Sequence, residues 1–219
     1  MESSAGRTHF VKAGLMSSLS IAVIGSGVIG STLGTRFAQA GHRVTFGARD
    51  VADTELVKTA EGIGAVVDTV DGAIDGSEVV LWAIPGAAMA EAIPAVAARL
   101  AGKIVIDATN KVGAGELNSL GVIAQHAPSA YAYRAFNTVG WENFADPNFG
   151  EIVGDLVFCG PDGGPRETVE QVIGATGLRP VYVGDGGKAG VVDGVAALWF
   201  ALAFERGMGR GVGFKILTR

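Results

Sequence analysis

From Leu19 onward, short apolar runs alternate with stretches whose apolar residues recur every three or four positions. The first kind predicts buried strands and the second amphipathic helices. On this pattern the strands are Ser20–Gly25, Arg43–Gly47, Ala65–Val67, Glu78–Ile84, Lys103–Ala108, Ala132–Asn137, Asp155–Cys159 and Val181–Val183. Between the first two, Ile29–Ala40 carries Ile29, Leu33 and Phe37 at helical spacing and stops at Gly41, a residue suited to the position after a helix. Thr54–Glu61, Ala87–Leu100 and Pro165–Ala175 follow as helices, the last opening on proline and ending before Gly177. A long final helix is expected from about Lys188 to Glu205. Such alternation gives a parallel sheet covered by helices on both faces. Two stretches, Val112–His126 and Thr138–Gly150, break it and read as loops at strand ends, where an open α/β sheet meets its ligand. A boundary near Gly150 would separate residues 19–150 from a small C-terminal α/β segment, 151–219, whose strands could join the same sheet.

The first strand runs into Gly25-Ser26-Gly27-Val28-Ile29-Gly30, a tight glycine turn that opens a helix. In this setting Gly25 serves the turn, Gly27 lets a pyrophosphate approach the backbone, and Gly30 allows the helix to pack on the strand. The phosphates would then meet free N–H groups at the positive end of the helix dipole. Thirty-four glycines produce chance matches to this string, and a glycine turn without a ligand is the alternative. Its place between strand and amphipathic helix favours a Rossmann-type, doubly wound α/β fold that binds a dinucleotide. The second strand ends in Thr45-Phe46-Gly47-Ala48-Arg49, without the acid that takes an NAD ribose hydroxyl. Arg49 suits the 2′-phosphate of NADP(H), through paired charge-assisted hydrogen bonds. The competing reading is a surface arginine beside Asp50.

Other strand ends should flank the same crevice. Ala83, Ile84 and Pro85 would wall the nicotinamide half, and Thr109 and Asn110 would offer hydroxyl and amide groups to ribose or carboxamide. Asp107 and Asn110 could equally do no more than cap the following turn. Beyond the sixth strand, Asn137 and Thr138 precede Val139-Gly140-Trp141-Glu142-Asn143-Phe144, an apolar floor with a few polar groups that suits a planar heterocycle.

Composition narrows the class. A formal charge of -5 without Lys/Arg clusters argues against nucleic acid as a partner. Cys159, the only cysteine, reads as a buried strand residue and leaves no disulfide framework, consistent with a cytoplasmic protein. The longest apolar run, Val195–Phe204, is shorter than the ~20 residues of a membrane span, so no membrane partner is expected. Residues 1–18 read as a disordered leader or an upstream start, with a processed organelle address as the alternative. His9 lies in that leader, His126 in a loop and His42 in a turn, none with an evident carboxylate partner. No metal-ligand spacing or nucleophilic triad stands out. Hydride transfer between two cofactors suits that absence, because it needs positioning more than a protein acid.

The ordered series formed by the glycine loop, Gly47-Ala48-Arg49, Ala83-Ile84-Pro85, Asp107-Ala108-Thr109-Asn110, Ala135-Phe136-Asn137-Thr138, Phe158-Cys159-Gly160, Gly177-Leu178-Arg179-Pro180 and Gly207–Lys215 resembles the NADPH-dependent reductases of the deazaflavin coenzyme F420. The resemblance implies Ser26, Val28 and Ile29 at the phosphates, Arg49 at the 2′-phosphate, and Ile84 and Pro85 near the nicotinamide. It implies a deazaflavin over that ring, a cleft closed by the C-terminal segment, and a homodimer built partly on the last helices. Those reductases carry histidine where this chain has Asn137, and often serine in place of Ala48. Asn137-Thr138 is closer to the flavin-linked metalloreductase branch, a distant cousin, which brings FMN or FAD into view. The expected activity is hydride transfer between NADPH and a deazaflavin or flavin, with Asn137 and Thr138 as candidate catalytic positions. The alternatives are a redox-sensing module whose Trp141–Phe149 loop blocks the crevice, and a reductase of a small carbonyl or imine.

Overall fold

The computed structural model describes residues 17–219 except Ala114. Most of the expected leader, with His9, therefore lies outside the described residues. Ser17 and Ser18 are already tied to the body: the Ser17 carbonyl accepts from Gln171 Nε2 at 2.8 Å, and Ser18 Oγ donates to the Gly41 carbonyl at 2.8 Å.

The chain alternates as the hydrophobic pattern requires. The first half runs β1 (Ser20–Ile24), α1 (Val28–Gln39), β2 (Arg43–Ala48), α2 (Thr54–Gly62), β3 (Val66–Thr69), α3 (Val70–Asp75), β4 (Val79–Trp82), α4 (Met89–Val96), β5 (Ile104–Asp107), α5 (Leu120–His126) and β6 (Tyr131–Arg134). These six strands form one parallel sheet in the order β3-β2-β1-β4-β5-β6. That is the doubly wound order, with its reversal between β1 and β4. Successive residues alternate between two cores. Ile21, Val23, Val79, Leu81, Ile104 and Ile106 pack on one face, whereas Ala22, Ile24, Val80, Trp82 and Val105 pack on the other. Both faces of the central strands β1, β4 and β5 are covered, so these read in sequence as continuous apolar runs.

The remainder comprises α6 (Trp141–Ala145), the short hairpin β7 (Asn148–Phe149) and β8 (Ile152–Val153), then β9 (Asp155–Phe158), α7 (Gly164–Gly174), β10 (Arg179–Tyr182) and α8 (Ala189–Phe200). β9 and β10 pair in parallel as a separate two-stranded sheet. They do not extend the main ladder. The link is a single antiparallel bridge, in which the backbones of Arg134 and Cys159 exchange hydrogen bonds of 2.9 and 3.1 Å. Leu156, Phe158, Val169, Val172 and Ile173 nevertheless belong to the same core cluster as Ile21 and Phe37. Phe136 packs edge-on between Phe37 and Phe144, with centroids 6.0 and 5.7 Å away, and so joins α1 to α6. Burial of such a ring contributes about 1.5–3 kcal/mol.

Several expectations need correction. The stretches expected as loops contain α5 and α6, and His126 is the last residue of a helix. α3 and the β7–β8 hairpin were not expected at all. α3 is only six residues long and starts directly from β3, with the Thr69 hydroxyl accepting from Gly72 N–H at 3.1 Å. The helix expected over Ala87–Leu100 is α4 flanked by 3-10 turns at Gly86–Ala88 and Ala97–Leu100. Pro94 lies inside it and lacks a backbone donor, which interrupts a regular ladder. The final helix likewise begins as a 3-10 turn at Gly186–Lys188 and widens into a π-helix at Ala201–Glu205.

That last helical stretch, Gly186–Glu205, has 20 residues and contains an 18-residue window of mean hydropathy 1.4, so by length and composition it could cross a membrane, contrary to the estimate from its longest apolar run. In the fold its inner face instead carries Val192, Ala196, Trp199 and Ala203 into the protein, with Asp193 engaged in a buried ion pair.

Candidate nucleotide crevice

The parallel register aligns Gly47, Ile24, Trp82, Asp107 and Arg134 in one row across the sheet. The residues just beyond that row therefore form a common rim at the strands' carboxyl ends, where open α/β sheets bind ligands. They are Gly25-Ser26-Gly27 from β1, Ala48-Arg49 from β2, Ala83-Ile84-Pro85 from β4, Thr109-Asn110 after β5 and Phe136-Asn137 after β6. Two surface concavities, about 490 and 670 Å³, lie away from this rim: one at Lys103 and Tyr131, the other between α5 and Pro161.

The glycine turn is mechanically required. Gly25 has φ 113°, and a Cβ there would stand 2.6 Å from the Ala83 carbonyl oxygen. At Gly30 a Cβ would collide with the Gly25 carbonyl oxygen. Gly27 differs: its φ is -67° and a Cβ would meet nothing within 4 Å. Its smallness relieves no clash within the chain; it keeps open the approach to α1. That helix starts at Val28 with no side-chain cap and no acid in its first turn. Helix geometry leaves the first N–H groups without intrahelical partners, and here no side chain competes for them. Ser26, Gly27 and Val28 are exposed.

Arg49 is exposed just beyond the end of β2, two residues past Gly47, which pairs with Ile24 before the glycine turn. Asp50, its possible surface partner, instead caps the following turn by accepting from Ala52 N–H at 3.0 Å. On the other side of the glycine turn, Ala83 N–H bonds to the Ile24 carbonyl at 2.8 Å, which brings Ile84 and Pro85 to the reversal point. A Cβ on Gly86 would approach the Asn110 backbone to 2.6 Å, so the loops after β4 and β5 touch.

Sequence reasoning passed over the hub of the far end, Arg134. This guanidinium is completely buried. Its Nε donates to Asp193 Oδ1 at 2.8 Å, and Nη1 donates to the carbonyls of Asp107 (3.2 Å) and Thr109, with Asp107 Oδ2 at 3.3 Å. Nη2 donates to Asn110 Oδ1 at 2.8 Å. The Asn137 amide is satisfied with its oxygen toward the guanidinium, 3.0 Å from Nη2 and 3.3 Å from Nε. Asp107 is satisfied as well, by Thr109 N–H (2.9 Å), the Thr109 hydroxyl (2.7 Å) and Ser119 N–H (2.6 Å). Asp193 also accepts from Asn118 Nδ2 at 2.8 Å. The expected turn-capping role of Asp107 is thus present, while Asn110 is held by Arg134. Asn137 is 3% exposed and Thr138 fully buried, its hydroxyl without a partner. Between them and the strand, Phe136 adopts φ 62°, the single positive φ among described non-glycine residues. A lone arginine in a buried strand and a lone acid in an apolar helix were the available signals, since a buried charge requires a partner.

Other titratable groups take no part in the rim. His42 Nδ1 accepts from Leu19 N–H at 3.3 Å, and burial lowers its pKa. Cys159 is buried as expected, and desolvation pushes its thiol up to about 11. Among the described residues no group of three His, Cys, Asp or Glu side chains could hold a metal.

The rim's order corresponds to a known sequence pattern. Residues 20–111 match the family model described as NADP oxidoreductase, coenzyme F420-dependent. The match covers β1 to the loop after β5, the part of the chain that carries the glycine turn, Arg49 and Pro85. Over 216 residues the chain is 24% identical to the glycerol-3-phosphate dehydrogenase [NAD(P)+] of Azotobacter vinelandii, covering 91% of the chain but only 62% of that relative. Among solved structures, a candidate F420-dependent NADP-reductase from Arthrobacter sp. FB24 superposes with a TM-score of 0.78 at 24% identity, over 92% of this chain and all of the other. A reductive aminase from Aspergillus terreus in complex with NADPH gives 0.66 at 20% identity, over 87% of this chain and 63% of the aminase. These similarities show the same α/β fold.

Proposed function

We propose that the protein is an NADP(H)-dependent oxidoreductase that transfers hydride between NADPH and a deazaflavin of the F420 type or a flavin. One observation carries the reading: within the stretch that matches the NADP oxidoreductase family model, an uncapped helix N-terminus behind Gly25–Gly30 and an exposed Arg49 share one rim. The phosphates fit the free N–H groups of α1, with Gly27 keeping the approach open. Arg49 takes the 2′-phosphate. Ile84 and Pro85 wall the nicotinamide half. Bound NADPH supplies the hydride, and the chain contributes orientation and the exclusion of water. The buried hydroxyl of Thr138 and the Arg134-held amide of Asn137 lie at the end where a second ring would stack.

The C-terminal segment supports a closed cleft. Arg210 pairs with Glu142 of α6 at 2.6 Å, Trp199 Nε1 donates to the Val212 carbonyl at 2.9 Å, and Asn143 Nδ2 donates to the same carbonyl at 3.1 Å. A homodimer is the proposed assembly, because α8 leaves Val191 and Leu198 about half exposed on its outer face. The proposed compartment is the cytoplasm.

The deciding experiment follows NADPH absorbance with deazaflavin, FMN, FAD and ferric chelates in turn. Oxidation with deazaflavin or a flavin supports the reading. Tight NADPH binding without turnover on any of them supports the sensing module instead. The small-substrate reading rests on the aminase-like fold, yet this chain spans under two thirds of that enzyme. Consumption of NADPH with a ketone and an amine, and not with flavins, would establish it.

A further inference from the structure

Arg134 does more than neutralise buried acids. Five N–H donors are available on a guanidinium, and here they converge on the backbone carbonyls of Asp107 at the end of β5 and of Thr109 just beyond it, on two amide oxygens and on carboxylates. The consequence for Asn110 is directional. With its Oδ1 held by Nη2 at 2.8 Å, the amide cannot turn over without losing that bond, so Nδ2 becomes its outward end. Nδ2 makes no hydrogen bond among the described residues, and Asn110 is half-buried at the rim, its backbone pressed against Gly86 beside Pro85. A half-buried amide whose oxygen is fixed and whose nitrogen is free is a preset hydrogen-bond donor.

We propose that Arg134, anchored by Asp193 of α8, is a positioning residue that presents Asn110 Nδ2 as a donor to a ring-borne carbonyl oxygen in the crevice. This rests on the nucleotide reading above. The matching acceptor is the carboxamide oxygen of the nicotinamide or a carbonyl of the second heterocycle. Asp193 links that choice to α8: it binds Arg134 Nε at 2.8 Å and, through Oδ2, both the amide and the backbone N–H of Asn118. The donor is thereby set from α8 through the Asp193–Arg134 pair.

The test compares NADPH with 2′-phospho-ADP-ribose, which carries every nucleotide group except the nicotinamide. In wild type and in the near-isosteric Asn110→Asp, which keeps an oxygen for Arg134 and removes the donor, both dissociation constants are measured by calorimetry. The expected result is about a tenfold loss for NADPH with the fragment unchanged, the size of one hydrogen bond to a preset donor. Unchanged fragment binding also certifies that the crevice is folded. Asp193→Asn should weaken NADPH selectively by a smaller factor. The double variant should lose no more than Asn110→Asp alone, because Asp193 acts through Asn110. A purely structural role would instead change both ligands together and add in the double variant. Titration of FMN onto NADP-saturated protein separates the two sources: loss confined to FMN assigns the donor to the second ring. If wild type binds NADPH and Asn110→Asp alters neither NADPH nor FMN relative to the fragment, the inference is overturned while the nucleotide reading stands. If wild type binds neither NADPH nor the fragment, both fall.

Discussion

Replacing Arg49 by alanine should separate NADPH from NADH. The side chain is exposed, forms no ion pair among the described residues, and has lost its nearest surface partner because Asp50 is committed to Ala52. Truncation therefore removes little from the fold, and any effect on binding belongs to the ligand. A guanidinium facing a phosphate makes charge-assisted hydrogen bonds worth about 1.5–3 kcal/mol. Because Arg49 lies in water, the lower part of that range applies, about 1.5–2 kcal/mol, or about 10- to 30-fold in Kd. Screening adds a second signature. With a Debye length of ~10 Å at 0.1 M salt, the wild-type preference for NADPH should shrink as salt rises, whereas the variant's should be nearly flat. Fluorescence titration of NADPH and NADH at two ionic strengths reads both quantities. Equal weakening of both nucleotides, or no weakening of NADPH, refutes the assignment of Arg49 to the 2′-phosphate.

Gly27→Ala should leave the melting temperature unchanged, since its Cβ meets nothing within 4 Å, yet weaken NADPH binding markedly; wild-type affinity in this variant would remove Gly27 from the phosphate approach. Asp155 is a stability prediction. Burial alone would raise its pKa, but hydrogen bonds from Arg179, Ile216 N–H and Lys215 outweigh that and hold it at about 2, below the 3.8 of a free carboxyl. A depressed carboxylate stabilises the fold above its unfolded pKa and loses that contribution as pH falls through the folded one. Asp155→Asn should therefore cost about 2 kcal/mol at neutral pH, with the gap closing between about pH 4 and pH 2 in denaturant titrations; a gap constant across that window would contradict the linkage. On the outer face of α8, Leu198→Glu should shift a dimer toward monomer in sedimentation experiments, and an unchanged mass would exclude that face from the interface.

The pattern of apolar residues located the central strands β1, β4 and β5 because each is buried on both faces and reads as an unbroken run, while the edge strands β3 and β6, partly exposed, stood out by their place in the alternation. The same simplicity concealed what happens beyond the strand ends. α5 and α6 have seven and five residues, too few for a period of 3.6 to rise above the Gly and Asn around them. Their stability comes from contacts distant in sequence, such as Asn143 of α6 on the Val212 carbonyl and, just before α5, the Asn118 hydrogen bonds to Asp193. The glycine turn was legible for a related reason, since its constraints are local: a strand, a turn and a helix within ten residues. Arg134 was not, because its partners come from β5, the loop after it, and a helix 59 residues away. In sequence it is a charge interrupting an apolar strand; in space it is what orients Asn110. Desolvating a guanidinium costs several kcal/mol unless every donor is met, and meeting them fixes the surrounding loops to one arrangement. That requirement connects the half of the crevice visible from a motif to the half visible only from the fold: phosphate contacts need a bare backbone, which glycines advertise, whereas a ring needs a donor with a defined direction, which only a buried network can hold.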